Sequence, residues 1–310
     1  MQRLTAMVLL FLGAAIRLDP AAAQKSVGDG RPPIIDMHLH AFALDDGKPP
    51  AVNPVTGQPS AARTSAELRD ASLAALERYN IVRAIASGPP ETAGQWREAA
   101  PDRIMIGAFV DETNPLPDLA RLRAEIRAGR VQVLGELALQ CRGMAPNDSR
   151  LEPYYALAEE MDIPVGIHTG IGPPGIPYDP CCPDFRVTLG NPILVEEVLV
   201  RHPRLRIYLM HGGAPYLQET KVILSVYPQV YTDLAVINWI LPREEFHSYL
   251  RELIRAGFGK RLLFGSDQMV WPEAIGMAVE GIESAGFLTE EEKRDIFYNN
   301  AVRFLGLDEK

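Results

Sequence analysis

The chain predicts an α/β fold, a single-domain (β/α)8 TIM barrel, and three observations carry that expectation. Eight short apolar runs rich in Ile, Val and Leu recur along it. Amphipathic segments with apolar residues near helical spacing lie between them. No G-x-G-x-x-G turn follows the first run, which removes the most direct support for a nucleotide-binding open sheet. Alternating strand and helix implies parallel strands, and eight of them suit a closed barrel, with an open doubly wound sheet as the fallback.

Taken in order, the runs are "IIDMHLHA" from 34, "IVRAIASG" from 81, "IMIGAFV" from 104, "VQVLGELAL" from 131, "IPVGIHTG" from 163, "RIYLMHGG" from 206, "VYTDLAV" from 230 and "RLLFGSDQ" from 261. Helical segments between them include "SAELRDASLAALERYN", "LPDLARLRAEIRAG", "EPYYALAEEMD", "PILVEEVLVRH", "APYLQETKVILSV" and "PREEFHSYLRELIRAG". Two long connections rich in proline and glycine follow the first and fifth runs, "FALDDGKPPAVNPVTGQPSAART" and "IGPPGIPYDPCCPDFRVTLGNP". Both leave carboxyl ends of strands, where barrels build their sites, so they read as walls of a pocket.

Residues 1–23 read as a signal peptide: a basic "MQR", the 13-residue apolar stretch "LTAMVLLFLGAAI" and a small-residue end, "DPAAAQ". That stretch falls short of the roughly 20 residues that span a bilayer, so export to the periplasm or medium is expected, without a stable membrane anchor. A short leader, 24–33, then joins the barrel of 34–310. The net charge is −9; residues 1–23 contribute +1 through Arg3, Arg17 and Asp19, which leaves −10 on the remainder. An acidic surface without Lys/Arg clusters argues against nucleic acid as a partner. A small-molecule substrate is expected instead, and a homo-oligomer is left open.

The first run carries the first sign of chemistry. In a strand alternate residues share a face, so His38 and His40 point the same way. The ends of later runs supply more: Glu136 in "GEL", His168 in "HTG", His211 in "HGG" and Asp267 in "GSD". Closure of the barrel would bring all six to one mouth, with four of the chain's six histidines among them. His202 and His247 sit in helical or turn segments and are expected at the surface.

Together "DMHLH", "GEL", "HTG", "HGG", "LLFGSD" and the tail "NNAVRFLGL" resemble the amidohydrolase superfamily, in its amidohydrolase-2 (amidohydrolase-related) branch, over nearly the whole chain after the leader. The resemblance implies that His38, His40, His168 and Asp267 hold a divalent metal. It makes His211 a second-metal ligand or a substrate-polarising residue. Glu136 matches the place where some branches set a carboxylate between two metals; others use a carboxylated lysine, and no lysine stands at that strand end here.

Mixed imidazole and carboxylate donors suit one or two ions, Zn²⁺ first, with Mn²⁺ and Fe²⁺ as alternatives. The expected activity is metal-dependent hydrolysis of a small ester, lactone or amide, with Asp267 as general base and His211 stabilising the oxyanion. The branch also contains nonoxidative decarboxylases of aromatic or unsaturated carboxylic acids, and a non-catalytic metal- or ligand-binding barrel is the third reading. Trp239, Trp271 and Tyr178 are candidates to rim the mouth and stack on substrate, each with a packing role as the alternative. Arg142 is a candidate for a substrate carboxylate, or a solvated loop arginine. Adjacent strands four and five should set Cys141 beside Cys181 and Cys182. A disulfide from Cys141 to one of that pair is therefore expected, closing a loop of about 40 residues and worth roughly 2–4 kcal/mol.

Overall fold

A computed structural model describes residues 30–44, 47 and 49–307. The expected signal peptide and most of the leader lie outside the described residues. Eight parallel strands follow one another in sheet order: β1 Ile34–His40, β2 Ile81–Gly88, β3 Ile104–Val110, β4 Val133–Leu137, β5 Val165–Ile167, β6 Ile207–Leu209, β7 Val230–Asp233 and β8 Leu262–Leu263. All eight expected runs hold a strand. The ends of the sheet meet where the Met37 amide donates to Phe264 O (2.9 Å) and the Asp267 amide donates to His38 O (2.7 Å). The barrel expectation holds, and the open sheet is set aside.

The helices begin and bury as their sequences require. Helix α1 (Ser65–Arg78) starts at a capping box in which the Thr64 hydroxyl accepts the Glu67 amide while Glu67 reaches back to the Thr64 amide. Between β2 and β3 lies α2 (Pro90–Ala99), and α3 (Leu119–Arg127) is capped by Asp118. Four elements follow: α4 (Glu152–Glu160), α5 (Glu196–Arg201), α6 (Leu217–Val226) and the single turn α7 (Ile237–Ile240). In α8 (Arg243–Arg255) the apolar residues Phe246, Leu250 and Leu253 recur at helical spacing and are the buried ones. The chain ends through α9 (Glu273–Glu283), α10 (Glu290–Arg294) and α11 (Asn300–Leu305).

The core has two parts. Most buried apolar side chains form the layer between strands and helices. A smaller cluster joins Ile35, Met37, Ile85, Val133, Tyr208, Met210 and Leu263 to Ala301, Val302 and Phe304 of α11, so the closing helix plugs one end of the barrel. The Tyr208 ring meets Phe304 edge-on, with centroids 5.6 Å apart. Closing one end leaves the carboxyl ends of the strands as the face available for chemistry. Among the described residues no helix is long and apolar enough to cross a membrane. His202, expected at the surface, is buried: its Nε2 lies 3.0 Å from Glu152 and its Nδ1 3.4 Å from Glu159.

Candidate active site

All six strand-end candidates meet. His40 Nε2 lies 3.0 Å from Asp267 Oδ1, and His38 Nε2 lies 3.9 Å from the same oxygen. Glu136 stands between two pairs of histidines. Its Oε2 is 3.4 Å from His38 Nε2 and 3.3 Å from His40 Nε2, while its Oε1 is 2.7 Å from His168 Nδ1 and 3.8 Å from His211 Nε2. His211 and His168 are themselves 3.1 Å apart.

The local sequence explains each placement. Glu136 arrives through Gly135, where a Cβ would stand 2.6 Å from Gly166 O; a Cβ on the neighbouring Gly107 would stand 2.2 Å from Gly135 O. Strands β3, β4 and β5 therefore approach too closely for side chains at this level. The Ser87 hydroxyl accepts the Glu136 amide and donates to Gly135 O, both at 3.0 Å, and so fixes the strand end. His211 turns into the site at φ +63°, in the left-handed region, and the two glycines after it continue the turn. The His211 amide donates to Asp233 Oδ1 at 2.8 Å.

Further residues, not singled out by the sequence, hold the six. Asp233, at the end of β7, places Oδ2 3.1 Å from His38 Nδ1. Asp36 Oδ1 accepts the amides of His38 (3.0 Å) and Ser266 (2.9 Å). Gln268 accepts the His40 amide at 2.8 Å and donates to His40 O at 2.6 Å. Phe42 stacks on the His40 ring with centroids 4.2 Å apart, and Phe109 meets it edge-on at 5.7 Å. Two signals were present: Asp233 ends a strand as the other candidates do, and Phe42 continues the alternation of His38 and His40.

The electrostatics are those of a site built for positive charge. Burial alone would push the Asp267 carboxyl up, but His38 and the adjacent His40 hold it down at about 2. Burial also opposes ionisation of Glu136, and the charge of His38, the hydrogen bond from His168 and the nearby His211 keep it well below the usual carboxylate range. Conversely, burial would lower His38, but Asp267, Glu136 and Asp233 raise it well above the ordinary histidine value. Burial likewise opposes charge on His211, which the carboxylate of Glu136 3.8 Å away raises. The carboxylates thus draw onto the imidazoles the charge that a cation would otherwise supply.

A divalent cation fits these residues. His38 Nε2 and Asp267 Oδ1 are buried without a hydrogen-bond partner, each within reach of the other donors. With Nδ1 donating to Asp233, a neutral His38 would present its Nε2 lone pair; with Nδ1 on Ala235 O (3.3 Å), His211 would do the same. Two sets of three ligand atoms lie within 4.8 Å of one another: His38, His40 and Asp267, and His38, Glu136 and His211. His168 belongs to neither set, and its side chain is 20% exposed toward the mouth.

The family model for amidohydrolases, Amidohydro_2, matches residues 35–307. The chain belongs to the amidohydrolase-2 family. Members of this family are metal-dependent enzymes. Protein fluG of Emericella nidulans is 25% identical over 170 residues, which are 50% of this chain and 19% of that protein; the match therefore spans about a fifth of the relative's length. Among solved structures, a probable 2-pyrone-4,6-dicarboxylic acid hydrolase from Acinetobacter baumannii, with citric acid bound, superposes with a TM-score of 0.59 at 16% identity, over 88% of this chain and 99% of that one. A 5-carboxyvanillate decarboxylase from Novosphingobium aromaticivorans, in complex with manganese and a nitrobenzoic acid, gives a TM-score of 0.59 at 14% identity, over 90% and 97%. At these identities both show the fold alone.

The remaining candidates fall into different environments. Trp239 does not rim the mouth: it is buried in α7, and its indole N–H donates to Ser266 O at 2.8 Å. The turn after β7 folds it inward against Trp271, with ring centroids 6.2 Å apart. Trp271 is half-buried and donates to Ala51 O at 3.0 Å, clasping the first long loop. Tyr178 is 91% exposed. Arg142 is half-buried, and one nitrogen of its guanidinium donates to Asp111 O at 2.9 Å and reaches Glu112 O at 3.5 Å. The disulfide is not formed, and all three cysteines carry free thiols. The loops do meet as expected, but Cys141 and Cys182 face a third group, Glu112, rather than bonding to each other.

Proposed function

We propose that the protein is a metal-dependent hydrolase acting on a small ester, lactone or amide-type substrate. The observation that carries this reading is the Glu136 carboxylate, which offers one oxygen to His38 and His40 and the other to His168 and His211. His38, His40 and Asp267 would hold one cation, with Glu136 at its edge; His211 and His168, with the other Glu136 oxygen, have the donors for a second. The mixed nitrogen and oxygen set suits Zn²⁺, Mn²⁺ or Fe²⁺. A bound cation lowers the pKa of water toward about 7 and polarises a carbonyl.

The chain's own residues supply the remainder. Asp267 is kept ionised and buried beside His40, so it can take the proton of an attacking water and return it to the leaving group. His211, protonated or cation-bound, lies 3.8 Å from both Glu136 and Asp267 and faces the place where negative charge would develop on the carbonyl oxygen. Asp233 holds the His38 ring and the His211 backbone with one carboxylate, which fixes both before substrate arrives.

Nonoxidative decarboxylation is the rival reading, supported by the likeness of the fold to the carboxyvanillate enzyme. One experiment divides them. Purified protein loaded with Zn²⁺ or Mn²⁺ is offered lactones, esters, amides and aromatic carboxylic acids, with acid release and CO₂ release followed separately. Cleavage of the carbonyl substrates is expected; CO₂ release without any hydrolysis overturns the proposal.

A further inference from the structure

A second set of ligand-type side chains converges outside the histidine cluster. Glu112 lies in the loop after β3, Cys141 in the 3₁₀ turn Leu139–Arg142 after β4, and Cys182 in the long loop after β5. Their ligand atoms, one carboxylate oxygen and two sulfurs, lie within 4.8 Å of one another. Cys182 is buried, and the other two are half-buried. We propose that these three residues form a further metal site, apart from the histidine cluster, that takes a thiophilic divalent cation of the zinc class and staples the three loops together.

The donor set favours a cation over a disulfide. A disulfide would engage two sulfurs and leave Glu112 outside it, whereas thiolate sulfur and carboxylate oxygen are both donors that zinc accepts, so a cation engages all three groups. Around one tetrahedral ion with Zn–S near 2.3 Å, donors sit roughly 3.5–4 Å apart, so closing onto an ion asks for less than about 1 Å of movement. The loops are already held together: Arg142 ties the backbone of Asp111 and Glu112 to the Cys141 turn, and a Cβ at Gly143 would lie 3.0 Å from the Asp184 side chain.

The electrostatics agree with that geometry. Burial pushes the Glu112 carboxyl up, and Asp111 and Asp179 add to the effect against Arg142. Burial and the hydrogen bond with Cys141 push the Cys182 thiol up to about 12. Such groups resist ionising beside one another until a cation joins them, and a coordinating thiol is then deprotonated. Binding therefore exchanges two S–H bonds for two metal–sulfur bonds and releases two protons to solvent. Glu112 adds an oxygen donor, and a fourth position is left to water.

The test uses the full chain, reduced, stripped with a chelator and titrated with Cd²⁺. A sulfur-to-metal charge-transfer band reports thiolate binding and is silent on the histidine cluster, which contains no sulfur; the one other thiol, Cys181, is removed in the Cys181→Ser control. Saturation at one thiolate-bound ion per chain is expected. The band should vanish in Cys141→Ser and Cys182→Ser, persist in Cys181→Ser, and need about tenfold more Cd²⁺ in Glu112→Gln. Cys141 is half-buried, so Cys141→Ser carries the same test if Cys182→Ser fails to fold. Zinc content of the protein as purified should fall by one ion per chain in Cys141→Ser. No band in the reduced wild-type protein overturns the proposal, as does a band that survives Cys141→Ser. A Cys141–Cys182 disulfide found by mass spectrometry in protein prepared without reductant also overturns it.

Discussion

The two sides of the barrel mouth are built differently. On the β1, β7 and β8 side, His38 and His40 are buried and held twice. Asp233 and Asp36 grip the first, and Gln268 grips the backbone of the second from both directions. On the β5 side, His168 is 20% exposed, and the loop beyond it carries Tyr178 at 91% and Ile171 at 56% exposure. Ligands that must hold fixed distances belong on interlocked strand ends, where a side chain and its neighbours constrain one another. A wall that admits substrate can tolerate looser contacts. The contrast predicts where substitutions will be felt.

The largest effects should come from the interlocked side. His38→Ala or Asp267→Ala should abolish activity and deplete bound metal, exceeding the roughly 10–100-fold losses typical of outer partners, while circular dichroism still shows a folded barrel. Full activity with unchanged metal content would break the assignment. A strong chelator should do the same to the unaltered protein, with recovery on adding Zn²⁺ or Mn²⁺. Glu136→Gln comes next, because it sits between the two sides. If both histidine pairs bind an ion, metal content should fall from two toward one per chain, since a neutral amide bridges poorly. A content of one in the unaltered protein would make Glu136 a positioning residue and strengthen the decarboxylase reading.

Asp233→Asn should cost less but remain specific. The amide can still accept the His211 backbone N–H, but it is a poorer acceptor for His38 Nδ1–H, so metal affinity should fall by roughly 10–100-fold without unfolding. Unchanged affinity would show that β1 alone orients His38. Trp239→Phe should be felt as stability first: it leaves Ser266 O buried without its donor, at a cost of about 1–3 kcal/mol in denaturant melts.

The asymmetry also explains what the sequence could show. The eight strands and all six meeting residues were legible because each ligand candidate follows its own apolar run, and a closed barrel converts strand ends into neighbours whatever their separation along the chain. The residues gripping them were not. Asp36, Ser87 and Gln268 act through distances between strands that are fixed by register, and register is not written in composition. Asp233 stands at a strand end as Glu136 and Asp267 do, but its run "VYTDLAV" is not among the motifs that carry the family resemblance. Trp239 is buried rather than at the rim for a related reason: the turn after β7 decides where it points, and that turn has no periodic pattern to read. The cysteines were placed side by side correctly, yet Glu112, a third member from another loop, carried no cue.

The smallest expected effect tests the looser side. Tyr178 lies in the 3₁₀ turn Ile176–Tyr178 of the β5 loop, and its ring is almost wholly in solvent. Removing an exposed side chain leaves no cavity and no buried group unpaired, so Tyr178→Ala should change stability by no more than about 0.5 kcal/mol. Because the ring is almost wholly in solvent, kcat/KM on a small ester or lactone should stay within about twofold, a difference below 0.5 kcal/mol in transition-state binding. A loss of about tenfold or more, appearing in KM with kcat unchanged, would show that the loop closes over bound substrate and brings the ring onto it. The β5 side would then be a recognition element that forms with the substrate, and its looseness in the free protein would be the means by which it does so.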